Sequence, residues 1–560
     1  MLHIWVGRAG SGKSRRVLEA MEKNRRLRRQ VLLVPEHISH EAEVDLCRAL
    51  GPTASRDAEV LSFRSLSSRV LAETGGLAEF TLDNGGKLLT MRRVLQELAP
   101  ELRVFGRPSQ RASFLRQLTD LTEEFYAYEI GPQALYRQVE DLDGAMGGKL
   151  RDIALIYAAY DARLRSGDFD ARSRLQKLRE HLEGSGYLRG CDVYLAGFSY
   201  FTRQEESILE LVLRQAESVT VTLLGDRSSD RLFQNALRQR MRLERMARRA
   251  GQEMDVLWCE SRGQGPLGHL EAHFFGREVP YDGEPEGLEL YQAATAFTEV
   301  EWVSQQLRQL AAEGYRWRDM GVCARNMEVY GPLLESVFRR DGIPAYISRR
   351  SDLLEKPPIT MLLGALDAVT GGFDREDVFR CLKTGLGGIT PDECDILENY
   401  VILWDIRGSA MWLREGDWTA SPDGYGREPT ERSTARLERV NGIRRRVRLL
   451  LEPLYRGMRT AGAARQKAEC LYGFLQEAGV PQTLEDTAKK LLEEDRPQLA
   501  EEYVQLWAIF CGVLDQFAEI LGDTELSGEE FARLLRLVLT QYSVGTIPAT
   551  LDQVKVREIT

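Results

Sequence analysis

A phosphate-binding loop at residues 7–14 constrains the fold of this chain more than any other feature of its sequence. Residues Gly7 to Ser14 read GRAGSGKS and match the pattern GxxxxGK[ST] at every defined position. The apolar run Leu2–Val6 predicts a short buried strand before the loop, and a helix is expected from Arg15 to Glu22 after it. A strand, a glycine-rich loop and a helix in this order favour an α/β fold that binds a phosphate-bearing ligand.

Each residue type in this loop has a physical reason to be there. Glycines allow the backbone to wrap closely around a phosphate and to turn its N–H groups inward. Lys13 would reach the β- and γ-phosphates of a nucleotide, and the hydroxyl of Ser14 would bind Mg²⁺. The alternative is a glycine turn that arose by chance. The sequence therefore predicts that ATP and Mg²⁺ bind at Gly7, Arg8, Ala9, Gly10, Ser11, Gly12, Lys13 and Ser14.

Strands and helices alternate after the loop, which extends the α/β prediction along the chain. Further strands are expected at Val31–Val34, Val60–Phe63, Val193–Ala196 and Val219–Leu224, with helices between them. This order implies a parallel sheet with right-handed crossovers. A second α/β unit is predicted to begin with a strand at Leu288–Tyr291.

The pattern predicts two parallel-sheet cores, each interrupted by a helical insertion. The second core has contributed about three strands when the chain ends, and its strand at Val554–Val556 has just begun. Because such a core leaves sheet edges uncovered, we expect the natural polypeptide to continue past Thr560. The predicted domains are residues 1–85 and 189–262 (first core), 86–188 (its insertion), 263–287 (linker), 288–373 and 540–560 (second core, incomplete) and 374–539 (its insertion).

The composition narrows the classes of protein to which the chain can belong. Hydrophobic residues make up 43% and charged residues 29%, which is ordinary for a folded protein and excludes a disordered or collagen-like chain. No uninterrupted apolar run approaches the roughly 20 residues that span a bilayer, and no basic leader precedes the first strand, so neither a membrane segment nor a signal peptide is expected. The eight cysteines are scattered without a CxxC pair, which argues against a zinc site or a disulfide framework and favours a cytoplasmic location. The net charge is −10, so contact with nucleic acid must come from local grooves.

Several segments together resemble superfamily 1 helicases of the UvrD/Rep type. The phosphate-binding loop alone is generic, and the combination makes the resemblance specific. The segments are Leu32–His40 for motif Ia, Ser62–Leu66 with Arg69–Leu71 for motif Ib, and Gly321–Arg325 with Gly342–Pro344 for motif IV.

Within that superfamily the chain is most similar to the AddB family, the B subunits of bacterial AddAB helicase–nucleases that process DNA double-strand breaks. The segments Val34–Glu36 and Leu195–Phe201 carry this similarity. The resemblance implies two RecA-like cores, a heterodimer with an AddA-like subunit that drives unwinding, and binding to single-stranded and double-stranded DNA. It also implies that this subunit holds the exiting strand and scans it for the Chi sequence. The family's nuclease domain and iron–sulfur cluster are expected only beyond Thr560.

The residues that follow the predicted strand Val193–Ala196 argue against a strong ATPase. Hydrolysis needs a carboxylate at the end of a neighbouring strand to hold Mg²⁺, and usually a second one to orient the attacking water. Active superfamily 1 helicases have an Asp-Glu pair there, whereas this chain has Ala196 and Gly197. Asp192 lies too early on the strand to substitute, and Asp226, after the next strand, is an unfavoured substitute. We therefore predict nucleotide binding with poor hydrolysis.

The resemblance also implies further contacts to DNA and nucleotide. Single strands are held by aromatic stacking together with contacts to the backbone. For each phenylalanine the alternative is packing in the core, and for Arg325 it is a surface salt bridge. The predicted DNA contacts are His37, Ser39, Phe63, Arg64, Phe198 and Phe201, and Arg325 is predicted to reach the γ-phosphate.

These observations predict a nucleotide-binding, DNA-binding subunit of an ATP-dependent helicase–exonuclease complex for double-strand break repair and recombination. One alternative is a self-sufficient superfamily 1 helicase motor, against which Ala196 and Gly197 argue. The other is an unrelated P-loop NTPase such as a small-molecule kinase. The length of the chain, its helical insertions and the motif IV segment argue against that alternative.

Overall fold

The chain forms two compact units, which are described separately. The computed structural model describes residues 1–559 except 52, 76–81, 107–111, 140–141, 143, 167–173, 228–230, 261–262, 264, 276–278, 348–350, 461, 495 and 545–551. The first unit comprises Met1–Leu82, Leu102–Phe105 and Leu118–Leu290. The second unit comprises Asp83–Glu101, Gly106–Gln117 and Tyr291–Thr560.

The strands are short, and most of the described chain is helical. The strands are β1 (Leu2–Gly7), β2 (Gln30–Leu33), β3 (Ala58–Leu61), β4 (Asp192–Leu195), β5 (Ser218–Leu224), β6 (Met254–Trp258), β7 (Gly321–Ala324), β8 (Ala345–Ile347), β9 (Ser351–Asp352), β10 (Ser543–Val544) and β11 (Val554–Glu558). The helices of the first half are α1 (Lys13–Lys23), α2 (Ser39–Leu50), α3 (Phe63–Thr74), α4 (Asn84–Leu98), α5 (Ala112–Ala127), α6 (Pro132–Val139), α7 (Gly144–Ser166), α8 (Arg174–Leu182), α9 (Arg203–Gln215), α10 (Gln234–Arg249) and α11 (Gly265–His273). Those of the second half are α12 (Ala296–Ala312), α13 (Met327–Arg340), α14 (Pro357–Thr370), α15 (Arg375–Leu382), α16 (Pro391–Leu403), α17 (Ser409–Trp412), α18 (Glu431–Thr460), α19 (Ala464–Glu477), α20 (Val480–Glu493), α21 (Pro497–Gln516) and α22 (Gly528–Leu539).

A six-stranded parallel sheet forms the centre of the first unit. Its strand order is β3-β2-β4-β5-β1-β6, and every neighbouring pair is parallel. Strands β2 and β4 are buried along their whole length, as expected for strands that helices cover on both faces. Helices α3, α8, α9 and α10 pack on one face, and α1 and α2 pack on the other. The predicted α/β fold with a parallel sheet is confirmed, and β1 lies between β5 and β6.

A smaller parallel sheet lies in the second unit. Its order is β7-β11-β8, so the strand predicted at Val554–Val556 is confirmed and occupies the centre of this sheet. Val554 and Val556 are fully buried against side chains of α12 and α13. A second parallel sheet was predicted, and it is present.

The rest of the second unit is helical. Helix α22 begins with a capping box, in which the Ser527 hydroxyl accepts the Glu530 N–H at 3.1 Å and the Glu530 carboxylate accepts the Ser527 N–H at 3.1 Å. Among the described residues, one helix, Leu499–Leu521, is long and apolar enough to cross a membrane. Its apolar stripe, which includes Phe510 and Phe517, is buried among the neighbouring helices, as in a core helix.

One predicted strand is absent, and three observed strands, β6, β9 and β10, were not predicted. Leu288–Tyr291 is not a strand, and Leu290 is fully exposed. The alternation of apolar and polar residues in Leu288–Tyr291 favours a strand only where a neighbouring strand offers hydrogen bonds, and none pairs with it among the described residues. Conversely, β6 was not predicted, although it pairs with β1 and completes that edge of the sheet.

The units divide the chain at positions different from the predicted boundaries. Helix α4, which was assigned to the insertion of the first core, packs in the second unit. There the Tyr542 hydroxyl donates to Asp83 at 2.6 Å, and Arg92 pairs with Glu530 at 3.4 Å. Helix α11 occupies part of the predicted linker.

Candidate nucleotide-binding site and the neighbouring phenylalanine cluster

The loop between β1 and α1 has the backbone geometry of a phosphate-binding loop. Gly10 and Gly12 have φ angles of 72° and 81°, in the left-handed region that glycine adopts without strain. Gly7 is equally constrained, because a Cβ atom there would stand 2.4 Å from Ser11 Oγ and 2.7 Å from the Cys259 carbonyl oxygen. Helix α1 begins directly after Gly12, so its free N–H groups face the loop.

The ammonium of Lys13 lies inside this loop. Its Nζ donates to the carbonyl oxygens of Gly7 and Arg8 at 2.6 Å each, and lies 3.3 Å from Ser11 Oγ. Burial lowers the pKa of Lys13 below its ordinary value, while the nearby Cys259 thiol acts in the opposite direction. Phosphate oxygens can replace these carbonyl acceptors, so the position suits a residue that binds phosphate. The Ser14 side chain is exposed in the first turn of α1.

Arg8 connects the loop to the end of β5. Its guanidinium contacts Asp226 at 2.7 Å through Nε and at 2.6 Å through a terminal nitrogen. It also contacts Glu271 of α11 at 3.5 Å. The hydrogen bond to Asp226 raises the pKa of Arg8 above its ordinary value. Asp226, considered above as a substitute for the missing metal carboxylate, is thus paired with the loop itself.

The end of β4 offers no carboxylate toward the loop. Asp192 is buried at the opposite end of the strand, where Ser218 donates to it at 2.6 Å. Ala196 and Gly197 follow the strand, and Gly197 has a φ of 83°. A Cβ atom on Gly197 would stand 2.5 Å from Ile38 Cδ1, and the left-handed backbone would strain any other residue there. The described residues contain no group of three or more His, Cys, Asp or Glu side chains that could hold a metal ion.

The three predicted phenylalanines form one cluster beside the end of β4. The Phe63 and Phe198 ring centroids are 5.6 Å apart, and those of Phe198 and Phe201 are 4.9 Å apart. Phe63 is 6% exposed and Phe201 is 3% exposed, so both rings pack in the core, as the alternative interpretation held. Phe198 is half-buried and offers part of its ring to solvent.

The polar residues predicted to contact DNA lie on neighbouring loops. His37 belongs to a short 3₁₀ turn, Glu36–Ile38, and Ser39 begins α2 and donates to the Glu36 carbonyl at 2.8 Å. Arg64 lies in the first turn of α3 and pairs with Glu36 at 3.5 Å, and both of these side chains are 62% exposed. These residues and Phe198 therefore share the carboxyl edge of β2, β3 and β4, where ligands of parallel sheets usually bind.

One exposed aromatic residue near this edge was not predicted. Tyr200 is 66% exposed and lies two residues after Phe198 in the loop that follows β4. The sequence feature that could have identified Tyr200 is its position in this aromatic-rich loop, next to Phe201. Arg325 lies in the second unit, exposed directly after β7.

The groups that the resemblance implies fit this chain to different degrees. The glycine geometry, the position of Lys13 and the start of α1 fit a nucleoside triphosphate. The hydroxyl of Ser14 would supply one oxygen ligand to Mg²⁺, but the side chains of residues 196 and 197 would add none. Among the described residues no cysteine cluster fits an iron–sulfur cluster.

Comparisons with known proteins agree with this picture. Residues 4–271 match the sequence family described as "ADDB, N-terminal". The chain is 34% identical over 99% of its length to the B subunit of the ATP-dependent helicase/deoxyribonuclease of Desulforudis audaxviator, and it covers 50% of that protein. Proteins of the same name from Pelotomaculum thermopropionicum and Acetivibrio thermocellus are 34% and 31% identical, again over 99% of this chain and 50% of each relative. The chain therefore spans about half the length of the curated relatives that it matches.

Proposed function

Because this chain belongs to the AddB family, we propose that it acts as the nucleotide-binding, DNA-holding part of a helicase–nuclease complex that repairs DNA double-strand breaks. The observation that carries the proposal is the loop at residues 7–14, with its left-handed glycines and its half-buried lysine. The similarity over 99% of the chain supports its assignment to the B subunits of such complexes.

In this proposal the loop binds the phosphates of ATP. Backbone N–H groups of the loop and the start of α1 donate to phosphate oxygens. Lys13 exchanges its two carbonyl acceptors for β- and γ-phosphate oxygens, and Ser14 supplies a ligand to Mg²⁺, which neutralises phosphate charge. Arg325 is proposed to approach the γ-phosphate as the motif IV arginine.

Hydrolysis is proposed to be weak. Loss of a group that stabilises charge in a phosphoryl-transfer transition state commonly costs several kcal/mol. Ala196 and Gly197 provide no such group, and Asp226 is engaged by Arg8. Bound ATP therefore serves to hold a conformation rather than to drive a motor.

The DNA role is proposed for the carboxyl edge of β2, β3 and β4. His37, Ser39 and Arg64 would contact the backbone or bases of a single strand, and Phe198 would stack on a base. Phe63 and Phe201 would support Phe198 from the core. In the complex an AddA-like subunit would drive unwinding, and this chain would hold the exiting strand and scan it for Chi, in the cytoplasm.

Binding of ATP tests the nucleotide part directly. We expect Lys13→Ala to lower the affinity for ATP at least tenfold, because its ammonium contacts two phosphates. Lys23→Ala, at the exposed end of the same helix, is the matched control and should bind ATP like the wild type. Titration calorimetry with Mg²⁺ measures both, and equal affinities for the wild type and Lys13→Ala would contradict the proposal.

The rate of ATP hydrolysis tests the proposal that this chain is a weak ATPase. We expect phosphate release by the wild type, with or without single-stranded DNA, to stay near the level of Lys13→Ala. DNA-stimulated hydrolysis far above that background would favour a self-sufficient helicase motor instead. A small-molecule kinase should not bind single-stranded DNA. Binding of single-stranded DNA in the absence of nucleotide would therefore exclude a kinase and leave the DNA-holding subunit and the helicase motor.

A further inference from the structure

A cavity of about 570 Å³ lies beside the phosphate-binding loop, on the face of the sheet that α10 covers. Its floor is formed by the ends of β1, β5 and β6, including Val6 and Trp258. Its walls include Asp226 and Arg227 from the loop after β5, and Phe233 and Arg240 from the region where α10 begins. A volume of several hundred cubic ångströms is typical of small-molecule sites.

This cavity shares a wall with the loop. Val6 directly precedes Gly7, and Trp258 lies in register with Val6 on the neighbouring strand. Cys259, the residue after Trp258, donates its N–H to the Val6 carbonyl at 2.7 Å, and its own carbonyl crowds Gly7. When a ligand binds the loop through its phosphates, the rest of the ligand therefore lies next to the cavity.

Asp226 provides a second connection between the cavity and the phosphate-binding loop. It lines the cavity and also holds the guanidinium of Arg8 at 2.6 Å and 2.7 Å. The Arg8 guanidinium in turn lies 5.6 Å from the Phe233 ring centroid. Arg8 and Asp226 thus form a charged boundary between the phosphate loop and the cavity.

The chemistry of the cavity suits a flat heteroaromatic group on an anionic ligand. The guanidinium groups of Arg227 and Arg240 lie 5.7 Å and 5.6 Å from the Trp258 ring centroid. Trp258 is half-buried, so part of its surface faces the cavity. Indole rings stack well on nucleobases, and neighbouring cations strengthen binding of a negatively charged nucleotide.

We propose that this cavity receives the base and ribose of the nucleotide whose phosphates bind to residues 7–14, with the base stacked on Trp258. The inference rests on the proposed nucleotide binding and adds the side chain that contacts the base. Trp258 is then the base-binding side chain, and the Arg8–Asp226 pair joins the loop to the wall of the cavity.

Two probes separate the base from the phosphates: ATP and inorganic tripolyphosphate, each titrated into the whole chain with Mg²⁺. We expect Trp258→Ala to lower the affinity for ATP about tenfold or more, because stacking on an aromatic side chain contributes binding of that order. The affinity for tripolyphosphate should be unchanged, which also shows that the loop is still folded. Trp258→Phe keeps an aromatic face and should recover most of the affinity for ATP.

Two further variants complete the experiment. Lys13→Ala should weaken both probes, because it removes a phosphate contact. Trp5→Phe is the matched control, since Trp5 lies on β1 but packs on the opposite face with the core of α1 and α2. It should bind both probes like the wild type.

The alternative outcomes are distinguishable. If Trp258→Ala leaves ATP binding unchanged while Lys13→Ala weakens both probes, nucleotide binding stands and the base cavity is wrong. If Trp258→Ala weakens both probes equally, Trp258 supports the loop rather than the base, and the inference is again overturned. If neither probe binds to the wild type, the proposed function fails and the cavity proposal fails with it.

Discussion

At the scale of single residues, Asp152 shows how one buried carboxylate orders a segment that has no regular structure. It accepts hydrogen bonds from the backbone N–H groups of Arg103, Val104 and Phe105 at 3.2, 2.7 and 3.0 Å, and it is 3% exposed. Three consecutive N–H groups that lack partners in a helix or sheet thereby find one acceptor. The charge and the loop therefore stabilise each other.

We predict that Asp152→Asn lowers the free energy of unfolding of the first unit by about 2 kcal/mol. The amide keeps the size of the side chain but loses the charge that strengthens these bonds. Asp45→Asn, whose side chain is 58% exposed, is the control and should change stability by no more than about 0.5 kcal/mol. Urea unfolding measures both, and similar stability of the two variants would show that the three bonds contribute little.

Glu59 gives a residue-scale prediction for pH. Burial pushes its pKa upward, but hydrogen bonds from Arg29 and from Tyr187, the latter at 3.0 Å, outweigh burial and leave the pKa below its ordinary value of 4.5. A carboxylate with a lowered folded pKa contributes stability above its unfolded pKa and loses it as the pH falls through the folded pKa. We therefore expect the stability difference between the wild type and Glu59→Gln to be full at pH 6 and to shrink below pH 4.5.

The measurement for Glu59 is urea unfolding at a series of pH values. Glu19→Gln, on the exposed face of α1, is the control for removal of one surface carboxylate. A difference between the wild type and Glu59→Gln that stays constant from pH 6 down to pH 3 would rule out the lowered pKa.

Residues that act together were predictable only where they are adjacent in sequence. The loop at residues 7–14 is one contiguous pattern, so its glycines and Lys13 could be assigned from sequence alone. Arg8 and Asp226 are 218 residues apart, and nothing in either segment indicates their pairing. Tyr200 and Phe201 are adjacent, yet one is exposed and the other is buried, because the fold rather than composition decides which ring faces the core.

At the scale of elements, two glycines in different settings should respond oppositely to the same change. Gly442 lies inside α18 with open space where a Cβ would stand, so Gly442→Ala should stabilise the second unit by about 0.5–1 kcal/mol. Gly197→Ala should destabilise the first unit by about 1–3 kcal/mol, because its φ is left-handed and its Cβ would meet Ile38. Chemical unfolding tests the pair, and a neutral Gly197→Ala would mean that the loop and Ile38 shift easily.

Elements with strong local signals were predictable, and those that depend on a distant neighbour were not. The buried runs of β2 and β4 and the capping box of α22 are each specified by a few adjacent residues. Strand β6 has a mixed pattern, Met-Asp-Val-Leu-Trp, and becomes a strand because β1 offers an unpaired edge. Leu288–Tyr291 has the more strand-like pattern but no such edge among the described strands.

At the scale of the whole molecule, the phosphate-binding loop belongs to only one of two units that each have their own core. We predict that ATP at about 100 times its dissociation constant stabilises the folded first unit by about 2.7 kcal/mol. Hydrogen exchange should then slow in β1, β5 and β6 and change little in β7, β8 and β11. Lys13→Ala removes the effect if the loop is responsible, and equal protection of both sheets would contradict the prediction.

The position of β1 between β5 and β6 has a consequence for synthesis of the chain. His3 of β1 and Asp255, its neighbour on β6, are hydrogen-bonded but 252 residues apart. A ribosome that adds 5–20 residues per second needs about 13–50 s to cover that distance. For most of this interval, until β5 is made, the apolar side chains of Leu2, Ile4 and Val6 have no neighbouring strand to join, and they form the kind of exposed segment that chaperones bind. The loop that is translated before the rest of its sheet therefore acquires its final surroundings only after the first 258 residues have emerged from the ribosome.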